Sequence, residues 1–258
     1  MSAAGSLVQS NGVGPIAREN LAARVYAELR SALMEGRFWP GHRFKIRELA
    51  AALNVSETPV REALMQLVRE RGLDMHAGRS ITVAQLSLAQ YQELRTIRLQ
   101  LEGLAAEQAT PLISDATIDQ LEEIHDQLIA SEESGNWREA VRTNSLFHHT
   151  LYQAAAMPEL LAMIEGIWLR NGPLLNYLYP HARPTYPGRH QHLNVLDALR
   201  TRQRRHVREA IQADMIEGGA LLVKLLQRIA AGEDGVTPTP EQGETIVAEK
   251  PKPKRGRR

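Results

Sequence analysis

Four polar side chains in the second half of the chain have the types and spacing of a metal site. Asn144 and His148 stand four residues apart, which places them on one face of a helix, and His192 and Asp214 follow on two later helical stretches. Imidazole and oxygen ligands brought from three helices into a bundle interior can close around a divalent cation. Spacing alone does not decide this. A chain with nine histidines offers such i,i+4 pairs by chance, and capped or surface polar residues satisfy the same pattern. A second set lies near the start, in NVSETPVREALMQL (54–67). Ser56, Thr58 and Pro59 open an amphipathic helix there, and Arg61 lies one turn further along the same face. Ser56 or Thr58 can cap that helix, and Pro59 suits a first turn because its missing N–H would be unpaired anyway. A helix start presents free N–H groups and a positive dipole to phosphate, and its side chains point at base edges when the helix enters a major groove. Arg47, in the preceding short helix, can reach the adjoining backbone or a guanine edge. Taken singly, each residue has a plain alternative as a solvated arginine or a helix cap. Their order points to DNA.

The elements that must position these residues can be read from apolar periodicity. A helix from Leu21 carries Leu21, Val25, Leu29 and Leu33 at four-residue steps, and Gly36 with Pro40-Gly41 ends it. IRELAAALN (46–54) predicts a short second helix burying Ile46, Leu49, Ala50 and Leu53. A third, from Glu57 to Arg71, buries Val60, Leu64 and Leu67 and stops at Gly72. LDMH and SITVAQL then read as a two-stranded hairpin whose tip, His76 to Arg79 with Gly78 at the turn, lies against a minor groove or a phosphate. The expectation is a DNA-binding domain over 19–85, a helix-turn-helix with a wing and a core of its own. From 86 to 231 no useful strand alternation occurs, and six helices are expected. Ser114 or Asp115 caps the second, Pro158 starts the fourth, HARPTYPG (181–188) is a loop, and 203–231 is one last helix. Segments 1–18 and 232–258 are expected to be disordered. The second of these ends in a basic run of Lys250, Lys252, Lys254, Arg255, Arg257 and Arg258, either a solvated tail or a non-specific phosphate contact. The fold class is therefore mainly α, a winged helix-turn-helix followed by an all-α bundle of six or seven helices.

Composition narrows the setting. The 258 residues are 43% hydrophobic and 24% charged with a net charge of +1, a profile of a globular protein with ample core material. The absence of cysteine excludes disulfides and thiolate chemistry and suits a reducing cytoplasm. The start lacks the basic and apolar regions of a signal peptide, and no stretch approaches the roughly 20 apolar residues that span a bilayer. A cytoplasmic location with no membrane partner is expected.

LAALNVSETPVREALMQLVRERGL resembles the winged-helix signature of the GntR family of bacterial transcription regulators, in which a helix ELAxxLxVS precedes a recognition helix beginning S-x-TPVREAL. The match is dense over Arg47 to Leu73 and extends from Leu21 to Val83. It implies DNA contacts from Arg47, Ser56, Thr58, Arg61 and the wing around Gly78 and Arg79. One departure matters. The residue between Ser56 and Thr58 is commonly an arginine that helps read guanine, and here it is Glu57, which repels phosphate but can accept from a cytosine amino group.

The second half resembles the FCD ligand-binding domain of the FadR subgroup of that family, through RLQLEGLAAEQA (98–109), NSLFHHTLYQAA (144–155) followed by PELL, HLNVLDALR (192–200) and REAIQADM (208–215). The resemblance implies a divalent metal held by Asp-x-x-x-His on one helix and a histidine on each of two later helices. His148 and His192 match, Asn144 stands where aspartate is usual, and Asp214 where the last histidine is expected. The charge is moved rather than lost, and the imidazoles favour zinc or a nickel-like ion. The resemblance further implies a small organic acid as effector, with Arg98 and, more weakly, Arg170 facing its cavity. Arg98 has an alternative as an i,i+4 partner of Glu102. Trp168 and the tyrosines of NYLYP read as packing groups. A count of six helices favours the VanR-like branch of the subgroup. The reading is a homodimeric, ligand-responsive regulator, a repressor on a palindromic operator rather than an enzyme. A metal-dependent small-molecule enzyme and a constitutive architectural DNA-binding protein are the alternatives.

Overall fold

The computed structural model describes residues 21–179 and 182–233, apart from the side chain of Arg79. The N-terminal segment 1–18 lies outside the described residues, as does the tail apart from Gly232 and Glu233. Helix α1 (Leu21–Met34) buries Val25, Leu29, Ala32 and Leu33. Leu21, expected on that stripe, is exposed, because the buried face begins one turn further in. Gly36 closes the helix in the left-handed region at φ +67°, which costs a residue without Cβ little. Helix α2 (Ile46–Ala52) buries Ala50 outright, with Ile46, Leu49 and Leu53 only partly covered. Asn54 at φ +53° makes the turn into α3 (Glu57–Arg69), which buries Val60, Leu64 and Leu67 completely.

The wing holds three strands rather than the expected two. β2 (Leu73–Met75) and β3 (Ile81–Val83) form the hairpin, and β1 (Arg43–Phe44) pairs antiparallel on the other side of β3. At two residues, β1 is too short to show an alternation in sequence. Between β2 and β3 a 3₁₀ turn (Ala77–Arg79) carries Gly78 at φ +79°, with open space around it.

Among the described residues seven α-helices follow: α4 (Leu88–Ala109), α5 (Asp115–Glu133), α6 (Trp137–Gln153), α7 (Pro158–Asn171), α8 (Gln191–Arg200), α9 (Arg204–Glu217) and α10 (Ala220–Ala230), with a 3₁₀ stretch at Gly172–Tyr177. Ser87 forms a capping box with Gln90 at the start of α4, Ser114 caps α5 by accepting the Thr117 N–H, and Pro158 opens α7. The single helix expected over 203–231 breaks at Gly218-Gly219, where Tyr186 packs so closely that a Cβ on Gly218 would stand 2.8 Å from its hydroxyl. The six-helix count becomes seven, and its argument for the VanR-like branch falls with it. α4 packs on α9, α5 on α6 and α8 on α9, around a core that includes Phe147, Leu151, Leu121 and Ile211.

The expected self-contained core of the DNA-binding unit also needs correction. Helix α1 packs against α7 as well as α3, and Leu169 of α7, fully buried, belongs to the core of the first unit. Gly72 leaves room for it, since a Cβ there would stand 2.7 Å from Leu169 Cγ. A Cβ at Gly172 would collide with the carbonyl oxygens of Leu33 and Met34 at the end of α1. The two halves meet backbone to backbone.

Candidate functional site

His148 comes from the middle of α6, His192 from the first turn of α8 and Asp214 from α9, and all three are buried. His148 Nε2 lies 3.4 Å from His192 Nε2 and 3.3 Å from Asp214 Oδ2, and His192 Nε2 lies 3.9 Å from the same oxygen. Two donors about 2.1 Å from one zinc ion at a tetrahedral angle stand roughly 3.4 Å apart, so these separations fit ligands of a common cation. The tautomer of His148 follows from its neighbours. Tyr152 donates its only hydroxyl proton to Glu102 Oε2 (2.8 Å), so its oxygen accepts from His148 Nδ1 at 3.2 Å, and Nε2 keeps its lone pair. The His192 ring stacks on Phe147 with centroids 3.8 Å apart and planes 3° from parallel, which fixes its orientation. Tyr186, from the loop before α8, donates to Asp214 Oδ1 at 2.9 Å.

Electrostatics agree with a neutral imidazole beside an ionised carboxylate. Burial drives His192 well below the usual histidine range and lowers His190 to about 4. Burial alone would raise Asp214, but the imidazoles of His192 and His148 around it more than offset that and hold it below the ordinary carboxylate range.

His148 and Asp214 border a cavity of about 90 Å³, which His192 does not line. Asn144 lies on its wall one turn before His148, with Arg95, Arg98 and Tyr186. Met34, the last residue of α1, closes part of it, so the DNA-binding unit contributes to the wall. Arg98 reaches the cavity while already bonded: its Nε donates to Glu102 Oε1 at 2.5 Å and its Nη2 to Oε2 at 3.4 Å. Glu102, fully buried, also accepts from Trp168 Nε1 (2.9 Å) and Tyr152. Burial opposes its charge, and the Arg98 guanidinium wins, holding the carboxyl below its usual range. Arg170 does not line this cavity, because Trp168 faces it and a residue two positions on points about 200° round the helix. The sequence reading missed Tyr152, Tyr186 and Arg95. Tyr152 at i+4 from His148 was the one signal available.

At the other end, Arg47, Ser56, Glu57, Thr58 and Arg61 are all exposed, along the start of α2 and the start of α3. Ser56 occupies the N-cap without a side-chain capping bond, contrary to one expectation, so its hydroxyl stays free for another partner. Arg61 lies 3.7 Å from Glu57 as an exposed i,i+4 pair, which competes weakly with any outside contact. Gly78 is exposed at the wing tip. Arg79 sits in the 3₁₀ turn, and its side chain lies outside the described residues.

A helix-turn-helix with a wing, joined to an all-helical domain with a cavity that buried polar side chains border, is the architecture of a ligand-sensing transcription regulator. The chain belongs to the GntR family of bacterial regulatory proteins, whose pattern matches residues 21–83, and within it to the FadR subgroup, with an FCD domain over residues 93–216. It is 31% identical over 220 residues to the HTH-type transcriptional regulator McbR of Escherichia coli K12, covering 84% of this chain and 99% of that protein. The HTH-type transcriptional repressor RspR of the same strain is 27% identical over 195 residues, covering 75% of this chain and 85% of RspR. The solved structure of E. coli McbR/YncC superposes with a TM-score of 0.74 at 31% identity, over 80% of this chain and 98% of that one. A GntR regulator from Rhodococcus sp. RHA1 shares the fold at a TM-score of 0.59 and 23% identity, over 82% and 96%. The first half is thus a DNA-binding domain and the second an effector-binding domain. The relatives regulate transcription and are not enzymes, so the metal-dependent enzyme reading is set aside. Among the described residues no helix is long and apolar enough to cross a membrane.

Proposed function

We propose that this protein is a cytoplasmic repressor that binds a palindromic operator as a homodimer and is released when a small organic acid enters the FCD cavity. Arg47, Ser56, Thr58, Arg61 and the wing at Gly78 and Arg79 contact DNA, with Glu57 shifting base preference away from guanine. Domain boundaries at 19–85 and 86–231 serve this division of labour. The naming of RspR as a repressor supports the sign.

One observation carries the effector site: the acceptor atoms of His148, His192 and Asp214 converge at 3.3–3.9 Å. Electron-rich atoms held this close repel unless a cation or proton lies among them, so the donor set fits a divalent ion of the zinc or nickel kind. His148, His192 and Asp214 hold it, and Asn144 offers an amide oxygen from the cavity wall. When bound, the ion supplies open positions that take up a carboxylate. Tyr152 fixes His148 in the ligating tautomer, and Tyr186 orients Asp214. Arg98 contributes positive charge to the cavity while Glu102 holds it in place. The chain also needs a route from cavity to DNA. Met34 supplies it, because an occupant pressing on the end of α1 favours one placement of α3 over another, and only such a difference in free energy moves operator affinity. The test is elemental analysis of protein purified without added metal or chelator, followed by a thermal-shift screen of small carboxylic acids and operator retention with each hit. About one equivalent of metal, lost in His192→Ala, and weakened operator binding by an acid that raises Tm are expected. A metal-free protein whose operator affinity no acid shifts would leave it a constitutive DNA-binding protein.

A further inference from the structure

Next to His192 lies a second group of imidazoles. His125 of α5, buried, and His190 at the N-cap of α8 stand with His192 so that one nitrogen from each lies within 4.8 Å of the others. Ring centroids are 4.9 Å apart for His125 and His190, 5.5 Å for His125 and His192, and 4.5 Å for His190 and His192. Two nitrogens there, Nδ1 of His125 and Nδ1 of His192, are buried and have no hydrogen-bond partner among the described residues. An unpaired buried polar atom is costly, and two of them within one cluster of imidazoles point to something that joins them. A histidine that ligates a metal through Nε2 usually donates its Nδ1 proton to a carboxylate or carbonyl. His192 finds no such acceptor among the described residues. Its ring neighbours there include the imidazoles of His125 and His190.

We propose that His125, His190 and His192 form a second divalent-cation site, with the His192 imidazole shared between it and the His148–Asp214 site. Three nitrogen donors and no thiolate or carboxylate select borderline ions, zinc, nickel or copper(II), over magnesium and calcium. With both sites filled, His192 carries a cation on each ring nitrogen, and its remaining N–H proton passes to solvent. His190 is the weakest of the three donors, because its Nδ1 already accepts the His192 backbone N–H at 3.1 Å. The donors must also close by up to about 1.4 Å to reach the roughly 3.4 Å spacing of tetrahedral zinc ligands, so the second ion binds more weakly than the first.

The proposal rests on the reading of the first site, and the experiment separates the two. The full chain is stripped with chelator and titrated with zinc alone, and bound metal is counted by elemental analysis after desalting and by calorimetry. Two equivalents per chain are expected, the second at least tenfold weaker. His125→Gln should retain one tight equivalent, His190→Ala should weaken the second more than fivefold, and His192→Ala should lose both. His148→Ala should lose the tight equivalent and keep one that His125→Gln abolishes, an outcome that stands even if the first site proves empty. Cobalt(II) absorption and the circular dichroism of each variant check ligand set and folding. Saturation of the wild-type chain at one equivalent that His125→Gln retains, or two equivalents in a folded His125→Gln variant, overturns the second site.

Discussion

The Arg98–Glu102 pair gives the sharpest test of how the effector domain is built. Glu102 is fully buried and accepts from Arg98, Trp168 and Tyr152, so its negative charge is matched by one guanidinium and two neutral donors. Glu102→Gln keeps the shape and removes the charge, which leaves Arg98 as an uncompensated cation at the edge of the cavity. Breaking a buried pair in this way costs about 3–5 kcal/mol. Arg98→Met leaves the carboxylate with Trp168 and Tyr152 alone and should cost a similar amount. The double substitution removes both charges and should recover a large part of the loss, giving a coupling of at least about 2 kcal/mol between neighbours in one network. The assay is urea unfolding of the four proteins at pH 7, followed by tryptophan fluorescence, since Trp168 itself reports on Glu102. With a slope near 3 kcal/mol per molar urea for a chain of this size, each single substitution should move its midpoint by about 1 M or more. If Glu102→Gln stays within about 1 kcal/mol of wild type, or if the two effects simply add, Glu102 is not the charged anchor described above, and Arg98 is free to serve the effector alone.

Other outcomes follow from the same geometry. Arg61→Ala should weaken operator binding by about 1–3 kcal/mol if it reads a base, whereas a pure phosphate contact would instead lower the salt slope by about one without changing specificity; fluorescence anisotropy at several salt concentrations distinguishes these. Glu57→Arg also ends the Glu57–Arg61 pairing, and a binding-site selection should return an operator richer in guanine at the contacted position. An unchanged preference would remove Glu57 from recognition. In metal-stripped protein, His190 is neutral when folded down to about pH 4 but takes a proton near pH 6.5 when unfolded, and burial lowers His125 and His192 likewise. The unfolded chain therefore binds more protons in that window, so stability should be full above about pH 6.5 and decline as pH falls toward 4, by up to about 3 kcal/mol for His190. A flat melting temperature from pH 7 to 4.5 would contradict this.

Local pattern carried the DNA-binding half of the sequence reading. The recognition helix, its buried Val60, Leu64 and Leu67, and the glycine-tipped wing all depend on neighbours within a few residues, and all are present. His148 and His192 were legible for a different reason: resemblance supplied partners that spacing left open. What stayed hidden depends on distant chain segments. Tyr186 sits in a loop whose prolines and glycine announce only that it is not helical, yet it reaches Asp214. The break at Gly218-Gly219 follows from that tyrosine's approach, and helix periodicity continues undisturbed on either side. His125 and His190 are 65 residues apart along the chain (190 minus 125), and nothing local marks either as the other's neighbour.

Leu169 ties inheritance to architecture. A DNA-binding head cut at residue 85 and grafted onto another body would leave behind the leucine that completes its interior, opening a hole comparable to a buried Leu→Ala change, about 3–5 kcal/mol. Heads and bodies of this chain cannot be exchanged as interchangeable beads. A working chimera must bring its own α7, or a residue of matching bulk opposite Gly72.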